Sequence, residues 1–214
     1  GDLGKDALTI SHRKDGKGSY VRTLLPTYIR LFNGKSGIMQ RICTADYKVF
    51  VILKFIKAFL ISHNQNPRTN YPLVTQWFGI SWDEMLRMRD SHQKYTQHRY
   101  PLIEKRMSRF DCLEWIKKNN YPEPPRSACY FCPFRSNDNW RTLKEKHPAD
   151  FAKAVSFDYE LRRLQASVAN PSTRGIHYLH RSAIPLDMVD FRSQQEKGQL
   201  DLFGELECTG TCGV

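Results

Sequence analysis

No stretch of this 214-residue chain is both apolar and long enough to span a bilayer. The most apolar run, Val49 to Ile61, is interrupted by Lys54 and Lys57 and falls short of a hydrocarbon core of roughly 30 Å, so it is read as a core helix. No charged-then-apolar leader opens the chain, which gives no reason for export and points to a cytoplasmic protein. Residue 1 is Gly rather than Met, and Gly1 to Lys17 reads as a chain already under way, so preceding residues are expected. Internal repeats and low-complexity segments are lacking. With 40% hydrophobic and 12% aromatic residues, one sizeable core is expected rather than a disordered tail. Acidic residues are scarce. Against 33 Lys and Arg stand 22 Asp and Glu, and the formal charge of +11 favours anionic partners such as nucleotides, sulfate esters or nucleic acid. Without an export signal, the six cysteines are read as thiols used for metal or chemistry, not as a disulfide framework.

Through Ser36 and Gly37 the sequence is irregular, with an apolar patch from Val21 to Phe32 that predicts a short helix or strand. The spacing Val49, Ile52, Leu53, Ile56, Phe59, Leu60 is a helical stripe and predicts a helix from Asp46 to Ser62. Leu73 to Ile80 is short and rich in β-formers and predicts a buried strand. Ser81 with Glu84 has capping-box spacing and predicts a helix through Met88. In open α/β sheets such a strand-to-helix junction is the ligand end, where free backbone N–H groups favour anions. A second strand is predicted over Arg99 to Ile103 and a short one over Ile176 to Leu179. Helices are predicted from Ser108 through Lys118, from Ser136 through Lys146, and from Pro148 to about Gln165. Tyr121 to Pro125 and Asn170 to Gly175 are breaks, and from Ser193 the chain is polar apart from Leu200, Leu202, Phe203 and Leu206.

Cys129-Tyr-Phe-Cys132 is the sharpest local signal, because two thiolates separated by two residues can wrap one metal, or one corner of a cluster, while the backbone turns. Cys43 and the pair Cys208 and Cys212 can complete a four-thiolate set once the chain folds. A [4Fe–4S] cluster leads, with zinc and unliganded thiols as alternatives. Arg41 and Lys48 flank Cys43, and Arg87 and Arg89 follow the Gly79-Ile-Ser81 junction. Such side chains are natural partners of phosphate and sulfate oxygens, or else decorate a solvated helix face. Asp83 and Glu84 sit where acids favour a helix dipole. Cys112 is expected as a buried small hydrophobe, His177 and His180 as polar positions of a strand, and Arg162-Arg163 as a solvated face. Trp77, Trp115 and Trp140 are expected as core anchors.

Taken in order, four segments resemble the phosphoadenylyl-sulfate (PAPS) reductase-like branch of the PP-loop, or adenine nucleotide α-hydrolase-like, superfamily. Arg41-Ile-Cys43-Thr-Ala-Asp-Tyr-Lys48 looks like its cysteine-plus-Lys segment, and Trp77-Phe-Gly79-Ile-Ser81-Trp-Asp83-Glu84 with Arg87 looks like its strand-end Gly motif. Tyr100-Pro101-Leu102-Ile103, Ser108 to Trp115, Tyr121-Pro122 and the Cys129/Cys132 pair follow in the family's order. Leu200-Asp-Leu-Phe-Gly204, Glu207-Cys208 and Cys212-Gly213-Val214 resemble the tail of uncharacterised phage and bacterial members.

The resemblance implies an α/β fold with an open, mostly parallel sheet flanked by helices and a helical, cysteine-bearing C-terminal part. Residues 1–125 would be a partial nucleotide-binding domain, and 126–214 a helical segment and tail packed on it. It further implies an adenine nucleotide (ATP or PAPS) and a [4Fe–4S] cluster, with Cys43, Cys129 and Cys132 as ligands. Arg41, Lys48, Gly79, Ser81, Asp83, Glu84 and Arg87 would lie toward the nucleotide. Three features depart from the family. The Gly- and Ser-rich phosphate loop is missing, Ile42-Cys43 stands where cluster-bearing reductases have two adjacent cysteines, and no Pro follows Lys48 over Val49 to Ile52. Cys208 or Cys212 is then either a mobile nucleophile or the fourth ligand. Three functions follow: sulfur transfer or sulfonucleotide reduction, a non-catalytic nucleic-acid-binding or accessory module, and tRNA or DNA thiolation. A homo-oligomer, or a complex supplying the missing N-terminal elements, is also expected.

Overall fold

The computed structural model describes all residues except 15, 17, 23, 123, 125–127, 169–174, 193–195 and 198–214. In chain order it contains α1 (Leu3–Ala7), β1 (Ile10–His12), β2 (Ser19–Val21), β3 (Tyr28–Leu31), β4 (Ser36–Ile38) and α2 (Ile42–Thr44). A π turn, Ala45–Val49, leads into α3 (Phe50–Ser62), followed by β5 (Val74–Trp77), a 3-10 turn over Trp82–Arg87, β6 (Thr96–Arg99) and α4 (Pro101–Glu104). Then come α5 (Arg109–Lys118), α6 (Asn137–Lys146), α7 (Pro148–Ser167), β7 (Gly175–Tyr178) and a 3-10 turn at Leu186–Met188. The chain is thus mixed α/β, and none of the helices among the described residues is long and apolar enough to cross a membrane.

The described residues fall into two units: Gly1–Lys48 with the residues from Ala128 onward, and those of Val49–Ser127. Residues 1–48, expected to belong with the strand–helix segment that follows, group instead with the C-terminal part. The reason is strand pairing, since β3 lies between β4 and β7, antiparallel to both, with Tyr28 opposite Tyr178. Gly175 is required where β7 meets β3, because a Cβ there would sit 2.6 Å from Ile29 Cγ2 and 2.7 Å from the Arg30 carbonyl oxygen. α7 buries Ala154, Phe157, Asp158 and Leu161, a single stripe at i, i+3, i+4 and i+7. That stripe packs into a core with Leu24, Phe131, Trp140, Leu179 and Leu186. Ser136 caps α6 by accepting from the Asn139 N–H at 3.3 Å, and Pro148 occupies the first turn of α7, both as the sequence predicts.

In the second unit β5 and β6 pair in parallel, with Val74 opposite Thr96 and Trp77 opposite Arg99. This is the one parallel pairing among the described residues. α3 presents Ile56 and Leu60 to Tyr95, Leu73 and Val74, but Val49, Ile52 and Phe59 of the expected stripe are exposed, so it is not the core helix that the spacing predicts. Two predicted elements differ. The helix expected from Ser81 through Met88 is the 3-10 turn Trp82–Arg87; Ser81 sits at its N-cap but makes no capping bond, and Glu84 leaves helical geometry. The strand expected over Arg99 to Ile103 ends at Arg99, because Pro101 cannot donate to a ladder and instead opens α4 at its first position. Trp77 and Trp115 are exposed rather than core anchors, whereas Trp140 is buried as expected.

Candidate functional site

The cysteine loop is built by local bonds and by its two apolar central residues. Cys132 N–H donates to the Cys129 carbonyl at 3.0 Å, closing the turn. Between them, Phe131 is buried and stacks on Phe157 with ring centroids 4.5 Å apart, which anchors the loop to the core. Arg135 Nη2 donates to the Cys129 carbonyl at 3.0 Å from the other side. Cys129 is exposed and Cys132 half-buried.

Cys43 lies in α2, where its N–H donates to the Leu24 carbonyl at 3.0 Å and its side chain packs against the same core. Two residues earlier, the Arg41 guanidinium carbon stands 5.6 Å from the centroid of the Phe134 ring, two residues beyond Cys132. The two cysteine segments therefore meet within one unit. Burial pushes the Cys132 thiol above its usual range, and the neighbouring Cys129 adds to this. A hydrogen bond from the Phe134 N–H and the charges of Arg135 and Arg41 act the other way, stabilising a thiolate.

That arrangement suits a thiolate-bound metal, whose charge would take over the deprotonation that burial resists. Among the described residues no three His, Cys, Asp or Glu side chains stand together as a metal-holding group. Cys43, Cys129 and Cys132 provide three thiols in one unit, and the expected further ligands Cys208 and Cys212 lie outside the described residues.

Lys48, the other basic residue of the Cys43 segment, is exposed on the π turn. A π turn re-phases the side chains around it and is frequent at functional sites. Its neighbours are engaged: Asp46 pairs with Arg22 at 2.7 Å, and Tyr47 donates to Asp6. Burial, then the Asp6 bond, push the Tyr47 phenol to about 12.

The predicted anion-facing residues Gly79, Ser81, Asp83, Glu84 and Arg87 lie in the second unit, where β5 and β6 end side by side. Gly79 faces open space, with nothing within 4 Å of the position a Cβ would take. Asp83 is occupied structurally: its Oδ1 accepts from the Arg109 N–H at 2.8 Å, which holds its carboxyl below the usual range and ties the turn to α5. Glu84 and Arg87 pair at 2.7 Å, both partly buried. Arg89 donates to the carbonyls of Leu86 and Met88.

Arg135 and Phe134 escaped the sequence reading, although both follow the cysteine pair within three residues and a basic flank on that motif was the available signal. Arg162, expected as solvated, donates to the buried Asp158 at 3.0 Å and lies over the Tyr178 ring. Cys112 is half-buried and its thiol is pushed upward by burial. His177 and His180 are fully inside the first unit, bonded to Thr27 at 2.7 Å and Asn137 at 3.0 Å. Comparison with known proteins finds no matching family model, no similar curated protein and no similar solved structure.

Proposed function

We propose that the chain is a PAPS reductase-like, sulfur-handling protein that binds an adenine nucleotide and carries a [4Fe–4S] cluster. Cys43, Cys129 and Cys132 are its ligands, and of Cys208 and Cys212 one completes the set while the other is the nucleophile. The observation that carries this proposal is the meeting of the Cys43 segment with the Cys129/Cys132 loop, through the Arg41 guanidinium on the Phe134 ring. When bound, such a cluster supplies a thiolate-held iron centre for structure or sulfur transfer. The chain's own contribution is to hold the Cys132 sulfur against a backbone N–H and to fix the loop through Arg135. Arg41 and Lys48 add the positive charge that a sulfonucleotide or a thiolate calls for.

In the second unit the parallel pair β5–β6 is read as part of the open parallel sheet that the resemblance implies, with the nucleotide received on the Gly79–Ser81 backbone that follows β5. Gly79 leaves the backbone approachable there, and Arg87, held by Glu84 at 2.7 Å, is the neighbouring guanidinium. Nucleic-acid thiolation is a second reading, favoured by arginines laid over exposed tryptophans in that unit.

Anaerobic purification with quantification of iron, sulfide and zinc tests the thiol assignment. The expected result is about four irons per chain and absorbance near roughly 400 nm. Both are lost in Cys43→Ala and Cys129→Ala. Iron that survives both substitutions, or zinc in its place, would overturn the cluster.

A further inference from the structure

Beyond the thiol site, the C-terminal end of the β5–β6 pair carries an unusual surface. Trp77 closes β5 and is 68% exposed; across from it Arg99 closes β6, with its guanidinium carbon 5.4 Å from the Trp77 ring centroid. Glu104 holds that guanidinium in place at 3.0 Å. On the next turn the arrangement repeats: Trp82 is 40% exposed, and Arg106 lies 5.9 Å over its ring. The Trp82 N–H donates to the Met107 carbonyl at 2.8 Å and Asp83 accepts from the Arg109 N–H, which fixes the Trp82 turn to the Arg106 segment, while the β5–β6 register fixes Trp77 opposite Arg99. Phe110, 69% exposed, follows at the start of α5.

We propose that this edge is a stacking platform for single-stranded nucleic acid. Flat exposed indoles stack on bases of any sequence, and guanidiniums beside them meet the phosphates between successive bases. An apolar protein partner would have to strip water from the Arg106 guanidinium without supplying an anion, whereas a polyanion bearing flat rings satisfies ring and charge together. The chain's charge of +11 has the matching sign. The platform rests on the second unit's geometry alone and does not depend on the cluster. A mononucleotide shares base and phosphate chemistry with a strand, and the experiment separates the two.

Fluorescence anisotropy of a labelled single strand of about 12 nucleotides is measured with the full chain. The same strand as duplex, and excess unlabelled ATP, form the other arms. The expected result is preference for the single strand, survival of binding in ATP, and about tenfold weaker binding in Trp77→Ala and in Trp82→Ala. Tyr71→Ala, an equally exposed ring preceding β5 at the opposite end of the pair, leaves the affinity unchanged. Arg106→Gln lowers the slope of log affinity against log salt by about 0.7. The proposal is overturned if duplex binds as well as single strand, if both tryptophan variants bind like the parent, or if Trp77→Ala converts a self-associated chain to monomer. Displacement by ATP overturns the platform while leaving a mononucleotide site in place. Loss of iron in the cysteine variants, with strand binding intact, separates this proposal from the thiol site.

Discussion

Asp158 is fully buried on α7 and is held by three donors: the Leu179 N–H at 2.9 Å, the Leu186 N–H at 3.2 Å, and Arg162 at 3.0 Å. Burial nonetheless pushes its carboxyl above the usual range. The same interior lowers His177 and His180 from 6.5 to about 4, chiefly by desolvation, with Arg181 and Lys197 adding to the effect on His180. A histidine that binds its proton less readily folded than unfolded contributes full stability above about pH 6.5 and loses it as the pH falls toward 4. At roughly 1.4 kcal/mol per pKa unit, each ring accounts for at most about 3.5 kcal/mol. The raised Asp158 works in the opposite sense over the acid range, since protonation relieves its burial. Urea midpoints measured from pH 7.5 to 4.5 are therefore expected to fall for the parent and to fall less for His177→Gln and His180→Gln. Equal slopes in all three would refute the assignment. None of this was legible residue by residue, because the two histidines look like polar strand positions until the residue before β3 and the first residue of α6 supply Thr27 and Asn137 as partners.

Among the elements, those with a local stop or start signal were readable. Ser108 and Asp111 form the reciprocal capping box that their spacing predicts, and Ser136 and Pro148 open α6 and α7. The 3-10 turn after Ser81 has the same sequence signature as a capped helix. It differs because Glu84, the acid of that box, leaves helical geometry and pairs with Arg87, while Asp83 accepts from the Arg109 N–H of α5. β7 and β3 depend on a close approach that only their pairing reveals. Gly175→Val forces a Cβ against Ile29 and the Arg30 carbonyl, and is expected to destabilise the chain by about 3 kcal/mol. A thermal or urea unfolding curve measures it, and an unchanged midpoint would show that β7 can shift without cost.

At the scale of the molecule, the tryptophans fall into two classes. Trp140 is buried in the first unit, while Trp77, Trp82 and Trp115 of the second are 68%, 40% and 52% exposed. Acrylamide is expected to quench the second-unit emission readily and leave a protected component, which disappears in Trp140→Phe. A single uniformly quenched population would contradict this division. Net charge was readable at this scale from composition alone, and its place on the surface was not. Arg99 and Arg106 become parts of a patch only because strand pairing and the turn after α4 lay them over indole rings.

What the residues by themselves determined is local: the helical course of α3, the caps of α5 and α6, the cysteine turn, and the excess of positive charge. Each depends on neighbours within a few positions, where spacing and side-chain type suffice. Tertiary structure decided the rest: the grouping of residues 1–48 with the C-terminal part, the Arg41 guanidinium over the Phe134 ring, and the exposure of Trp77 and Trp115. Those outcomes turn on which distant strands pair and which apolar faces find a partner, and the free energy of such long-range contacts is not written in any local pattern.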